Sequence, residues 1–348
     1  MLSLFSNLGI FKRHHLYCVL LLVATVLYWT VFREFSFRRA LLPLLQWRAE
    51  HLAVLMLLNA SIIVAMCLRW KLILGRKGHS VGIWLLAVYR VGANTISYLT
   101  PGPQFGGEPL QVSMLVNRHA VPARDAAASV AVDRLIDFCT NCFFLLVGLI
   151  YLFQGPLIAS AFPFEGFAGL VLFMLGSGWF LLALAADKAP LSRWLGRIHR
   201  RLGNLPKLST ISAFVKATEK RAGDMLRQPF RILLLYVGAS LVQWILMIGE
   251  IWLIYFISGL SLSMIQLTGV VAAARLAFLL PMPGALGVLE TSQVLILSSF
   301  GLDPAIGLTV SIIMRSRDII LVGCGIGPVW SWLSGRTERP FRSFHDPV

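Results

Sequence analysis

Five arginines and six carboxylates stand where the surrounding sequence is apolar: Arg90, Arg134, Arg275, Arg315 and Arg317, with Glu108, Asp133, Asp137, Glu250, Glu290 and Asp318. An ionised side chain inside a bilayer is costly, so residues like these pair with one another or line a wet cavity. A guanidinium grips phosphate with a fixed fork of donors, which makes a group of arginines a natural anion site. Carboxylates beside them neutralise the arginines when the site is empty, or carry protons. Ion pairs that only lock helices together use the same residue types. None of the seven histidines falls in an apolar segment, so any proton coupling rests on the carboxylates.

Two of the glutamates follow a break in apolar sequence. The stretch TPGPQFGGE covers 100–108 and LPMPGALGVLE covers 280–290, each with a Pro-x-Pro in the middle of a region that is otherwise membrane-like. Proline lacks a backbone donor and clashes with the preceding turn, so two prolines with glycines interrupt a helix. Gly106, Gly107, Pro281, Pro283, Gly284 and Gly287 shape the breaks. Each interrupted region carries one arginine on its first arm (Arg90, Arg275) and a glutamate past the break (Glu108, Glu290). The start of a half-helix favours anionic groups, which adds to the anion-binding character.

The elements that must hold these residues are membrane helices. The 348 residues are 57% hydrophobic and 14% charged, with mean hydropathy +0.76, a balance that bilayer spans explain and a soluble core does not require. Apolar runs at 16–32, 52–70, 126–153, 168–186, 231–258 and 304–333 predict about six full spans, and 82–116 and 262–300 predict two interrupted re-entrant hairpins. The fold class expected is an all-α polytopic membrane protein.

Lys and Arg outnumber Asp and Glu by 31 to 16, and 26 of the 31 fall in loops and tails, the segment 69–80 with Arg69 among them. Placing the basic segment 187–231 inside puts both termini on the cytoplasmic side, although the basic loop 33–50 would then lie outside. Two triplets of helix, interrupted hairpin and helix then run in opposite senses, which predicts an inverted repeat. Pro101, Pro103 and Gly107 recur 180 positions on as Pro281, Pro283 and Gly287. The chain divides into an N-terminal helix and loop (1–45), a first repeat (46–155), a connecting span with a basic amphipathic region (156–230), a second repeat (231–335) and a tail (336–348). Within the basic region, Leu191, Trp194, Leu195, Ile198 and Leu202 follow helical spacing opposite Arg193, Arg197, Arg200 and Arg201, the pattern of an interfacial helix.

Several functions are disfavoured by what the chain contains. Its basic excess fits anionic lipid better than nucleic acid. The five cysteines sit in apolar runs, and Cys139-x-x-Cys142 has no second pair, so neither a disulfide framework nor a metal is expected. No phosphate-binding Gly-x-x-x-x-Gly-Lys occurs, and no cofactor is expected.

The motif PMPGALGVLE with Arg315 25 residues after its glutamate, and GGEPLQVSML followed by VAVDRLIDF, resemble the lysylphosphatidylglycerol synthase transmembrane region, or flippase-like domain, family over residues 10 to 335. The resemblance implies a polytopic protein of the bacterial inner membrane that moves lipids between leaflets. By motif position it transfers a role to Glu108, Arg134, Glu290 and Arg315. The bifunctional members add a soluble aminoacyltransferase domain, and a stand-alone member without that domain is the expectation here. The function expected is transport of an anionic or phosphate-bearing lipid, bound at Arg134 and Arg315 with help from Arg90, Arg275 or Arg317 and support from Asp133, Asp137 and Asp318. Two alternatives stay open: a membrane-embedded lipid-modifying transferase, and a scaffold for a lipid-synthesis enzyme. Membrane lipids are the expected partners, and a homodimer is compatible with the sequence.

Overall fold

In the computed structural model, residues 44–45, 47–100, 106–153, 164–202, 206–279 and 283–334 are described. The expected first helix at 16–32, most of the basic loop 33–50, Pro101, Pro103, Pro281 and the tail 336–348 lie outside them. Among the described residues there are eleven α-helices and no strand: α1 (Ala49–Gly75), α2 (Ile83–Leu99), α3 (Glu108–His119), α4 (Ala123–Phe153), α5 (Phe164–Ala185), α6 (Pro190–Leu202), α7 (Pro206–Leu226), α8 (Phe230–Ile257), α9 (Met264–Leu279), α10 (Val288–Ser299) and α11 (Pro304–Leu333).

Both interrupted regions are pairs of helices. At 1.5 Å per residue the 12-residue α3 and α10 are about 18 Å long, too short for a hydrocarbon core of roughly 30 Å. The first break ends at Gly107, which caps α3, and Pro109 follows in the first turn, where a missing N–H costs nothing. A Cβ on Gly107 would run into the Ala93 carbonyl oxygen, so only glycine lets α3 start this close to α2. The second break contains one tight turn, Pro283–Ala285, with Gly284 at φ 54°, and Gly287 at φ 77° caps α10.

Among the described residues two helices qualify as membrane crossings by length and apolar composition, α1 and α8. A third is added if Val171–Ala185 and Pro190–Ile198, which meet at 95°, form one bent span. That is narrower than the six spans expected. The long helices α4 and α11 carry charges amid their apolar residues, Asp133, Arg134 and Asp137 in one and Arg315, Arg317 and Asp318 in the other. Helix α1 also runs past the expected end at residue 70, to Gly75, because Ile73 and Leu74 continue its buried face.

The core is built from reciprocal packing. Helix α1 lies along α8, α2 along α11, and α9 against α4, while α3 packs on α4 and α10 on α11. Helix α7 clamps α4, α5 and α6, burying Ala222 and Met225 beside Ile73, Val132 and Leu184. Lipid-facing surfaces stay apolar: Leu172, Leu182, Leu234 and Ile245 are all more than half exposed, as membrane exteriors require.

Candidate functional site

A polar cavity of about 200 Å³ opens where the broken helices meet α1, α4, α8 and α11. Arg90, Arg134, Asp137, Glu250, Arg275, Arg317 and Asp318 line it, and a 70 Å³ annex shares Arg134, Asp137 and Arg275.

The charges around it fall into separate groups. Asp133, on α4, is fully buried and accepts from Arg69 Nε at 2.7 Å and from Arg90 Nη2. Arg69 also contacts Asp137 at 3.2 Å and donates to Ser240 at 2.8 Å and Gln243 at 3.3 Å, while Gln243 turns its amide to Asp137 at 3.0 Å. In a second group Arg317 joins Glu250 and Asp318, and Asn59 donates to Glu250 at 2.9 Å. The third group is Arg315 with Glu290 at 2.7 Å, and the fourth is Arg134 with Glu108 at 3.2 Å.

Arg315 has no donor left to offer. Its Nε and Nη2 hold both Glu290 oxygens, Nη1 reaches Tyr98 Oη and the Gly284 carbonyl, and Nη2 also donates to the Ala285 carbonyl. A guanidinium has five N–H donors, and all five are spent, on Glu290 and two carbonyls of the second break and on Tyr98 of α2. Glu108 likewise accepts from the Gly106 amide at 2.8 Å, and the Gly107 amide donates to Ser97 Oγ at 3.0 Å. The start of α3 is therefore already partnered by the protein itself.

Unsatisfied donors remain elsewhere. Arg275 has no carboxylate within 4 Å among the described residues; it lies over the Trp244 ring at 5.1 Å, and its buried Nε has no hydrogen-bond partner. Arg90 Nε and Nη1 and Arg134 Nε are buried and lack hydrogen bonds too. The buried acceptors left over in the same region are Glu108 Oε1 and Asp318 Oδ2. Donors thus outnumber acceptors, and the cavity suits an anion.

Sequence reasoning assigned Arg69 to a cytoplasmic loop, but it is a wholly buried partner of Asp133 and Asp137. The apolar Ile73 and Leu74 beyond Trp70-Lys71 were the available signal that the helix continues. Asn59, Tyr98 and Gln243 were missed because single polar residues in apolar helices carry no spacing motif.

On the basic face, outside the apolar helices, Lys77 meets Asp224 at 2.9 Å and Arg221 meets Asp125 at 3.1 Å. Burial alone would raise the Asp224 carboxyl, but the Lys77 hydrogen bond and the charges of Lys77, Arg227 and Arg221 outweigh it and hold it below the usual carboxylate range.

The sequence profile of the family described as lysylphosphatidylglycerol synthase TM region matches residues 18–325. A UPF0104 membrane protein of Methanocaldococcus jannaschii is 21% identical over 320 residues, covering 87% of this chain and 90% of that protein. Another, from Methanothermobacter thermautotrophicus, is 24% identical over 288 residues, covering 77% and 81%. No solved structure matches the chain.

Proposed function

The chain belongs to the lysylphosphatidylglycerol synthase transmembrane region family, and from that premise we propose that it carries a phosphate-bearing lipid between leaflets, without covalent change, through the cavity around Arg275. The observation that carries this reading is the arginine that has no carboxylate beside it, facing a polar chamber enclosed by broken helices. A phosphodiester would take the unused donors of Arg275, Arg134 and Arg90, replacing water with charge-assisted hydrogen bonds.

Two inverted repeats would supply the alternation. Supporting this, α1 packs on α8, and the first arm of each hairpin packs on the last helix of the other half. Arg69 and Glu250 stand 181 positions apart, as do Arg134 and Arg315, and Asp137 and Asp318. The same offset takes Asp133, the partner of Arg90, to Met314. Arg275 lies on the first arm of the second hairpin as Arg90 does on the first arm of the first, though 185 positions on and not 181, and with a methionine where the first half has Asp133 we read it as the binding cation. Orientation follows from charge: Lys77, Arg118, Arg124, Lys188, Arg221 and Arg227 gather at the ends of helices on the α7 side, which we place in the cytoplasm of a cell with this protein in its plasma membrane.

The test is leaflet-to-leaflet transfer of labelled phosphatidylglycerol in liposomes. Wild-type protein is expected to transfer it, and Arg275→Gln to slow transfer roughly tenfold or more, the worth of one hydrogen-bonded charge. Arg193→Gln, on an exposed surface, serves as the control. No transfer by folded wild-type protein overturns the reading.

A further inference from the structure

A second cavity, of about 1270 Å³, lies between α3 and α4 on one side and α5 and α7 on the other. Its volume exceeds the roughly 300–1,000 Å³ of ordinary small-molecule pockets. Val112, Val116, Ala127, Val130 and Ala131 form one wall, and Leu172, Phe173, Phe180, Ile211 and Phe214 the other. The charged residues of its lining are Glu108 and Arg134, both at one end. Along α4 it reaches from Ala123, at the basic face, to Phe138, a rise of about 22 Å. One leaflet contributes about half of the roughly 30 Å core.

We propose that this groove holds an acyl chain of the lipid whose phosphate is handed to Arg134, so that substrate reaches the central cavity sideways from the leaflet on the α7 side. The inference rests on the transport reading above and adds where the lipid comes in.

Three observations converge on an acyl chain as the occupant. The groove is apolar along its length and carries Arg134, paired with Glu108, at its inner end, so a lipid chain lying in it brings its phosphate to an arginine. It adjoins the polar cavity, because Arg134 lines both, and Arg134 and Phe138 also line the annex. The pair at the boundary of the two spaces is loosely held: Arg134 Nε and Glu108 Oε1 are 3.2 Å apart, yet neither atom has a hydrogen bond. An arriving phosphate displaces Glu108 from Arg134 and leaves that carboxylate on the Gly106 amide it already holds at 2.8 Å.

The experiment places the photo-crosslinker p-benzoylphenylalanine at Phe138 or Phe214 in the groove, and at Ile245 on the outer surface, in vesicles of mixed phosphatidylglycerol and phosphatidylethanolamine. Crosslinked lipids are identified by mass spectrometry. At the groove positions phosphatidylglycerol is expected to be enriched over its share of the bilayer by roughly tenfold, with no enrichment at Ile245. Arg134→Gln should erase the enrichment while lipid still crosslinks. Filling the groove with Ala131→Trp should slow transfer.

Lipid captured at bulk composition, or none captured, overturns the groove assignment, as does undiminished transfer by folded Ala131→Trp protein. Enrichment in a protein that transfers nothing supports the groove and sinks the transport reading instead, so the two fail separately. Enrichment of free fatty acid added as competitor, with the phospholipid unenriched, also counts against the proposal.

Discussion

Arg315 and Arg275 differ in what their guanidinium groups have left to give. Arg315 spends every donor on Glu290, Tyr98 and two carbonyls of the second break. Removing one partner of such a buried cluster leaves a stranded carboxylate, a loss of about 3–5 kcal/mol. Arg315→Gln is therefore expected to lower the thermal unfolding midpoint in detergent sharply, whereas Arg275→Gln, which breaks no ion pair, should leave it nearly unchanged while transfer falls. A double variant with Glu290→Gln should recover part of the loss, because no unpaired charge remains. The pairing of acids and arginines by region was legible from their positions in apolar sequence. Which arginine is saturated was not, because donor counting needs the carbonyls of Gly284 and Ala285, and backbone groups leave no trace in residue identity.

At the scale of elements the two breaks were the most legible feature, since Pro-x-Pro with glycines has few structural outcomes. The closeness of packing behind them was not readable. Gly107→Ala would drive a methyl group into the Ala93 carbonyl of α2 and should destabilise by about 3 kcal/mol, the upper range of over-packing. Gly176→Ala, with nothing within 4 Å of the added carbon, should be close to neutral on the same unfolding curve. Helix ends were read less well than helix existence. The run Arg69-Trp70-Lys71 looks like a membrane boundary because two cations flank an interfacial aromatic, yet Arg69 finds Asp133 and the helix goes on for another turn and more.

For the whole molecule, adding Arg69 to the inventory changes the charge count. Among the described residues six arginines (69, 90, 134, 275, 315 and 317) now face six carboxylates (108, 133, 137, 250, 290 and 318) around the central cavity and the two breaks, so these charges balance while the α7 face keeps the basic excess. That face is held partly by Asp224. Its carboxyl is held below the ordinary range, so its contribution is complete above about pH 4, the unfolded carboxyl value, and disappears as pH falls through the lower folded one. A spin label at the exposed Lys216 of α7 should gain mobility below about pH 4, and Asp224→Asn should already show that mobility at pH 7. An unchanged spectrum across this range would rule out the Lys77 contact as a clasp on α7.

The paired charges also bear on how such a protein is made. Ionised groups in the middle of α4 and α11 make their entry into lipid costly, while α1 and α8 meet the length and apolar composition of a membrane crossing. Each apolar helix brings one deep charge of the sign its follower needs: Arg69 on α1 for Asp133 and Asp137 of α4, and Glu250 on α8 for Arg317 of α11. Synthesis delivers α1 before α4 and α8 before α11. Each anchor therefore enters the membrane first and holds the counter-ion that lowers the cost of burying the charged helix that follows, so the order of translation becomes the order of assembly.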